Sequence, residues 1–206
     1  MPKYPIATAV KEDARIMRSK RDLRAALMEL LKSTPFEKIA VIDICNKAMI
    51  NKVTFYKHYA DKYDLFDDCL KDIGQDIFAR VNARHPHSFF LENPTEFCLA
   101  LLEETTVECV NRRETLLTLV CSDNALNNYI VHNYIEKIIV ALIDEISSSL
   151  TLKVPAKSLA AFLTGGFSMI IYEQINNPAA FNRAEFIGYC REIFTDIVRY
   201  DVLVRK

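Results

Sequence analysis

A chain of 206 residues suits one large domain, or a small domain joined to a larger one. Half its residues are apolar and 26% are charged, which excludes wholesale disorder; four glycines, seven prolines and no Asn-Gly or Asp-Gly pair argue against a β-rich fold. The net charge of −1 conceals a split, because residues 1–62 carry 13 Lys/Arg against 7 Asp/Glu and residues 63–206 carry 13 against 20. One end is suited to a polyanion and the rest would repel one, although unevenly solvated faces account for the charge equally well when it is read alone.

In chain order, the opening Met1-Pro2-Lys3-Tyr4-Pro5 leads to Lys11, Glu12 and Asp13 without an apolar stretch of targeting length. A first helix is predicted from about Asp13 to Ser33. Leu23, Leu27, Leu30 and Leu31 fall on one face at helical period, while Arg15, Arg18, Lys20, Arg21 and Arg24 crowd its first half. Thr34-Pro35 stops it, since proline disfavours helix in the residue before it, and Phe36 is expected to tuck beneath the small domain. Two short helices follow, about Val41–Ala48 and Lys52–Tyr59, separated by Met49-Ile50-Asn51 with Asn51 as N-cap. Asp61 caps a long helix from Lys62 to about Arg84, which ends at His85-Pro86-His87 and reads as the connector between halves.

Beyond Asn93-Pro94 a helix is predicted to Asn111, then a short one around Glu114–Val120, then one over Asn124–Ser149 with Ile135, Ile138, Ile139, Leu142, Ile143 and Ile146 on one face. Pro155 opens a helix running from Ala156 to Asn176, where Leu159, Phe162, Leu163, Gly166, Phe167 and Ile170 repeat the same offsets; Asn177-Pro178 closes it. A last helix, about Arg183–Tyr200, repeats them again with Phe186, Tyr189, Cys190, Ile193, Phe194 and Ile197. The reading is therefore all-α with about nine helices: a small helical domain over 13–62 and a larger helical domain over 63–206. The most apolar run, Leu159–Tyr172, is too short to cross a bilayer. Six cysteines at 45, 69, 98, 109, 121 and 190 show neither a C-x-x-C pair nor a zinc spacing and read as small buried hydrophobes in a reducing cytoplasm.

Chemistry concentrates in Val41–Leu65, VIDICNKAMINKVTFYKHYADKYDL. Two short helices joined by three residues, the second rich in aromatics, follow the helix-turn-helix plan, in which one helix enters the major groove and the one before it braces on the backbone. Core positions are Ile44, Cys45, Ala48, Ile50, Phe55 and Tyr59; outward positions are Lys52, Thr54, Tyr56, Lys57 and His58. Cations, hydroxyls and an imidazole hold phosphates and feel base edges. Plainer readings stand beside this one: Tyr56 as a half-buried core tyrosine, and Lys52, Lys57 and Lys62 as ordinary solvated lysines.

The run Thr54-Phe55-Tyr56-Lys57-His58-Tyr59, followed by Asp61-Lys62 and Asp64-Leu65, resembles the TetR/AcrR family of transcriptional regulators over about Arg15–Cys69. The resemblance implies that Tyr56, His58 and Lys62 grip phosphates, that Lys52, Val53, Thr54 and Lys57 approach bases or neighbouring phosphates, and that an effector binds in the C-terminal domain. Two departures stand out: Met49 occupies the turn where the family usually has Gly, and Ala40 replaces the Thr that often caps the second helix. A residue forced to φ > 0 at the turn is strained by about 1 kcal/mol, and a lost cap costs about the same.

Specificity from one short helix is low, so a symmetric dimer reading two half-sites is expected. The last two helices supply the surface, centred on Phe162, Gly166, Phe167, Ile170, Tyr189, Ile193 and Phe194; the competing reading turns those stripes onto the chain's own core. Phe97, Leu101, Thr105, Cys121, Tyr129 and His132 are candidates to line an effector pocket, and equally make an ordinary core. No Gly-rich phosphate loop, G-x-S-x-G or H-E-x-x-H occurs, and the adjacent pairs Asp67-Asp68, Glu103-Glu104 and Asp144-Glu145 point about 100° apart on a helix. Neither an enzyme nor a metal or other cofactor is expected. The expectation is a cytoplasmic, homodimeric DNA-binding regulator, repressor rather than activator, on a palindromic operator; the alternative is a helical interaction or sensor module of the same fold without operator binding.

Overall fold

The computed structural model describes residues 14–86, 92–122, 124–179, 182–199 and 203–205. Asp13, His87 and Tyr200 fall outside these residues, as do the side chains of Cys121, Ile146, Phe194 and Ile197. Among the described residues the helices are α1 (Ala14–Leu30), α2 (Val41–Ala48), α3 (Lys52–His58), α4 (Lys62–Arg84), α5 (Pro94–Asn111), α6 (Arg113–Ser122), α7 (Asn124–Ile130), α8 (Glu136–Ser149), α9 (Ala156–Asn176) and α10 (Arg183–Arg199). A 3₁₀ turn, Phe36–Lys38, stands between α1 and α2.

The helix expected over 124–149 is one run interrupted by a π-helical segment, Val131–Ile135, so that α7 and α8 are its two ends. Asn133 supplies a physical reason: its side-chain amide donates to the Tyr129 carbonyl at 3.1 Å, competing with the backbone ladder. The sequence reading also missed a small antiparallel ribbon, β1 (Leu150–Leu152) with β2 (Leu203–Arg205), in which Thr151 faces Val204. Three residues per strand is near the lower limit for a strand and leaves no period to detect.

Two compact units divide the chain. The first takes the described residues up to Gln75 together with Arg112–Asn127; the second takes Asp76–Asn111 and the residues from Asn128 onward. The division thus falls inside α4 rather than at residue 62. The first half of α4 is part of the first unit's core, where Leu65, Phe66 and Cys69 are buried and Phe66 lies 5.1 Å from the Phe36 ring. Helix α6 returns to the same unit: Leu119 and Thr115 are buried, and the Thr118 hydroxyl donates to the Lys32 carbonyl at 3.3 Å.

In the first unit, Leu23, Leu27 and Leu31 form the buried stripe of α1, and Phe36, Ile39, Ile44, Cys45, Phe55 and Tyr59 complete the core. In the second unit, α5 is the central element. Phe97 and Ala100 pack with Val81 on one side, and Leu99 and Leu102 pack with Cys190 on another. A third cluster joins Ile139 and Ile143 of α8 to Ala160 of α9. Among the described residues no helix is long and apolar enough to cross a membrane.

Candidate nucleic-acid interface

Local chemistry builds the two-helix reader. Helix α2 lacks a side-chain N-cap because Ala40 has no acceptor, but half of a capping box survives: the Asp43 carboxylate accepts from the Ala40 N–H at 2.9 Å. At its other end Met49 adopts φ 55° and ψ 38°, the left-handed conformation the sequence made a concern. The Ile50 N–H reaches the Cys45 carbonyl at 2.9 Å and the Met49 N–H reaches Asn46 at 3.2 Å, which is the Schellman pattern. Asn51 then caps α3, its side-chain oxygen accepting from the Val53 N–H at 2.8 Å. Asp61 caps α4 through the Tyr63 and Asp64 N–H groups, at 2.8 and 2.9 Å.

Phe55 is fully buried, and Tyr56 stands against it edge-on at 5.3 Å while remaining 58% exposed. Lys52, Val53 and Lys57 are exposed; Thr54 and His58 are half-buried, with the His58 ring set edge-on to Tyr59. Helix α3 reads KVTFYKH and carries no carboxylate. Its seven residues span about 10 Å along the axis, and a helix about 10–12 Å in diameter fits a major groove about 12 Å wide.

Tyr59 closes α3 and anchors it. Its hydroxyl donates to Asp68 Oδ2 at 2.6 Å; the same oxygen accepts from Arg24 at 3.0 Å, and Arg24 also pairs with Asp72 at 2.9 Å. Burial pushes the Asp68 carboxyl upward, but the hydrogen bonds from Tyr59 and Arg24 and the guanidinium charge outweigh it and hold it below the usual carboxylate range. Burial, then the bond to Asp68, raises the Tyr59 hydroxyl far above its ordinary value. This network ties α1, α3 and α4 together and was not read from the sequence. The available signal was Tyr59 itself, because a tyrosine placed in a core needs a partner for its hydroxyl.

Lys62 departs from the expected phosphate grip. Its amine donates to the carbonyls of Phe36 at 2.9 Å, Glu37 at 3.2 Å and Ile39 at 3.1 Å. Three N–H bonds are all an ammonium has, so none is left for a phosphate in this geometry.

Phe97 is buried with Val81 and Ala100, and Leu101 packs against that cluster, while the Thr105 hydroxyl bonds back to the Leu101 carbonyl. Tyr129 lies 6.4 Å from Tyr134. The His132 side chain is 68% exposed and meets Glu136 at 2.9 Å. Sequence reasoning passed over Thr164, Ser168 and Gln174, whose Oγ1, Oγ and Oε1 atoms are buried without a hydrogen-bond partner, all on α9.

On the candidate dimer helices, Phe162, Gly166, Tyr189 and Ile193 are exposed, joined by Met169 and Tyr172, which the sequence reading did not include. Phe167 instead packs inward against two buried clusters, and Ile170 is half-buried. The five cysteines with described side chains are free. Burial holds the Cys69, Cys98 and Cys109 thiols up at about 12 and Cys190 at about 11, so each stays protonated near neutrality.

No family model matches the sequence. An uncharacterised HTH-type transcriptional regulator of Bacillus subtilis, YxbF, is 30% identical over 92 residues, covering 44% of this chain; the chain thus spans 24% of that relative's length. Among solved structures, a transcription regulator from Shewanella sp. PV-4 assigned to the TetR family superposes with a TM-score of 0.60 at 14% identity, covering 85% of this chain and 95% of that one. NalD, the secondary repressor of the MexAB-OprM multidrug efflux pump in Pseudomonas aeruginosa, superposes with a TM-score of 0.59 at 16% identity over 92% and 97%. The resemblance carried by Thr54–Leu65 thus extends to the backbone: this chain has the all-helical fold of the TetR-family transcription regulators.

Proposed function

We propose that this chain is a DNA-binding transcriptional regulator that acts as a homodimer on a palindromic operator, with an effector in its second unit. The exposed face of α3 carries the reading. Lys52, Val53, Tyr56 and Lys57 project from a capped helix free of carboxylates, whose buried side is pinned by Phe55 and Tyr59. Cations and a hydroxyl on such a face suit phosphates, and Val53 and Thr54 suit base edges. Two copies are needed because one short helix reads too few base pairs. The exposed apolar face of α9 and α10 supports pairing. Repression is the simpler sign of control, since occupancy of the duplex suffices for it.

The effector reading is supported by Thr164, Ser168 and Gln174. Buried polar atoms are nearly always satisfied, so three orphaned oxygens on one helix favour a polar ligand with hydrogen-bond donors. Such a ligand regulates only by preferring one of two arrangements of the paired readers.

One experiment tests both parts. A randomised duplex pool is passed over the protein, the retained sequences are rebound between about 50 and 200 mM salt, and metabolite sets are then added to release them. Enrichment of an inverted repeat is expected, with steep loss of binding as salt rises. Lys57→Ala lowers the salt slope by about one contact per protomer, Tyr56→Ala weakens all sequences, and Thr54→Ala changes which sequence is preferred. No retention at the lowest salt, or retention indifferent to salt, favours the helical interaction module instead. Failure of every metabolite to release the duplex removes the effector and leaves the DNA reading standing.

A further inference from the structure

Lys62 begins α4, directly after the Asp61 cap. Its amine takes three main-chain carbonyls from a four-residue stretch, Phe36, Glu37 and Ile39, and lies 4.7 Å from the centre of the Phe36 ring. Those residues form the 3₁₀ turn and the step that leads straight into Ala40, the N-cap of α2. Tyr63 reinforces the same junction: its hydroxyl donates to the Glu37 carboxylate at 2.9 Å and its ring meets Phe36 edge-on at 5.0 Å. A cation bonded to carbonyls is stronger than a neutral pair, and three at once fix its position.

We infer that Lys62 is a positioning residue for DNA recognition, not a phosphate contact: its ammonium gathers the Phe36–Ile39 carbonyls and so sets where α2 starts, and with it the two-helix reader. This rests on the DNA-binding reading above. An amine with every donor engaged adds no neutralised phosphate. Its loss lowers affinity by misplacing the reader and leaves unchanged the number of counterions that binding releases.

Chemical labelling of lysine amines by an acylating reagent, read by mass spectrometry with and without mixed-sequence duplex DNA, tests this in the unaltered protein. Lys62 is expected to label on the order of tenfold more slowly than Lys52 and Lys57 in the free protein, with no further change on adding duplex; Lys52 and Lys57 are expected to slow when duplex is added. Lys62→Met keeps the stem and removes the donors. At a temperature where it remains folded, it is expected to bind on the order of tenfold more weakly at every salt concentration, with a salt plot parallel to the parent's. Rapid labelling of Lys62 that duplex suppresses, or a salt slope reduced by about one contact per protomer in Lys62→Met, overturns the inference. Should Lys62→Met fail to fold, the labelling on the parent protein decides alone. If duplex leaves Lys52 and Lys57 unprotected, the DNA reading fails; rapid labelling of Lys62 in the free protein would then show separately that the three-carbonyl pin does not exist.

Discussion

Met49 is the one non-glycine residue with positive φ among the described residues, and it is 93% exposed. Its side chain therefore contributes almost no burial to offset the clash between a β-carbon and the left-handed backbone. Replacing it with glycine removes that clash and keeps both closing hydrogen bonds, which come from the main chain. Met49→Gly is expected to stabilise the protein by about 1 kcal/mol. For a chain of this size that is a rise in Tm of about 2–4 °C, measurable by thermal unfolding. A β-branched residue such as valine at the same place should lower Tm. An unchanged or lower Tm for the glycine variant would show that the turn is not strained.

At the scale of elements, Arg24, Asp68, Asp72 and Tyr59 join α1, α3 and α4 through one half-buried knot. Because Asp68 is held below its unfolded value of about 3.9, its contribution to stability is present above that value and is lost as pH falls through the folded one. Asp68→Asn should cost about 2 kcal/mol near neutrality, since it weakens charge-assisted bonds to Arg24 and Tyr59. The gap between parent and variant should shrink below about pH 4, as the parent's own carboxyl takes up its proton. Urea unfolding at pH 7 and pH 3 checks both; an equal gap at the two would mean that the charge on Asp68 contributes nothing. Sequence periodicity exposed the helices joined by this knot but not the knot itself. Apolar spacing places Phe55 and Tyr59 inward and Lys52 and Lys57 outward, because burial follows the 3.6-residue period. Hydrogen bonds between residues 24, 59 and 68 follow no period, and neither do those of Lys62, whose phosphate contact was implied by the family resemblance alone. The π segment at Val131–Ile135 was hidden for a related reason, since one bulged turn leaves most of the apolar spacing of a long helix intact.

At the scale of the whole molecule, α9 and α10 leave large apolar side chains exposed. Phe162, Gly165, Gly166 and Met169 recur at i, i+3, i+4 and i+7, so they share one face of α9, and Phe162 is 71% exposed. Outside its own stretch of helix, a β-carbon added at Gly165 or Gly166 would meet nothing within 4 Å among the described residues, so nothing described in the protomer requires glycine there. Glycine in a helix interior costs about 1 kcal/mol against alanine, a cost that a close helix approach from a second copy would offset. Gly166→Leu is therefore expected to leave the thermal stability of the separated protomer equal or higher while converting dimer to monomer, read by light scattering at micromolar concentration. The same variant should lose the preference for inverted repeats over single half-sites, because each α3 would then bind alone. Were the parent already monomeric, or Gly166→Leu as dimeric as the parent, this face would not be where two copies meet, and the spacing of the two readers would have to come from another surface.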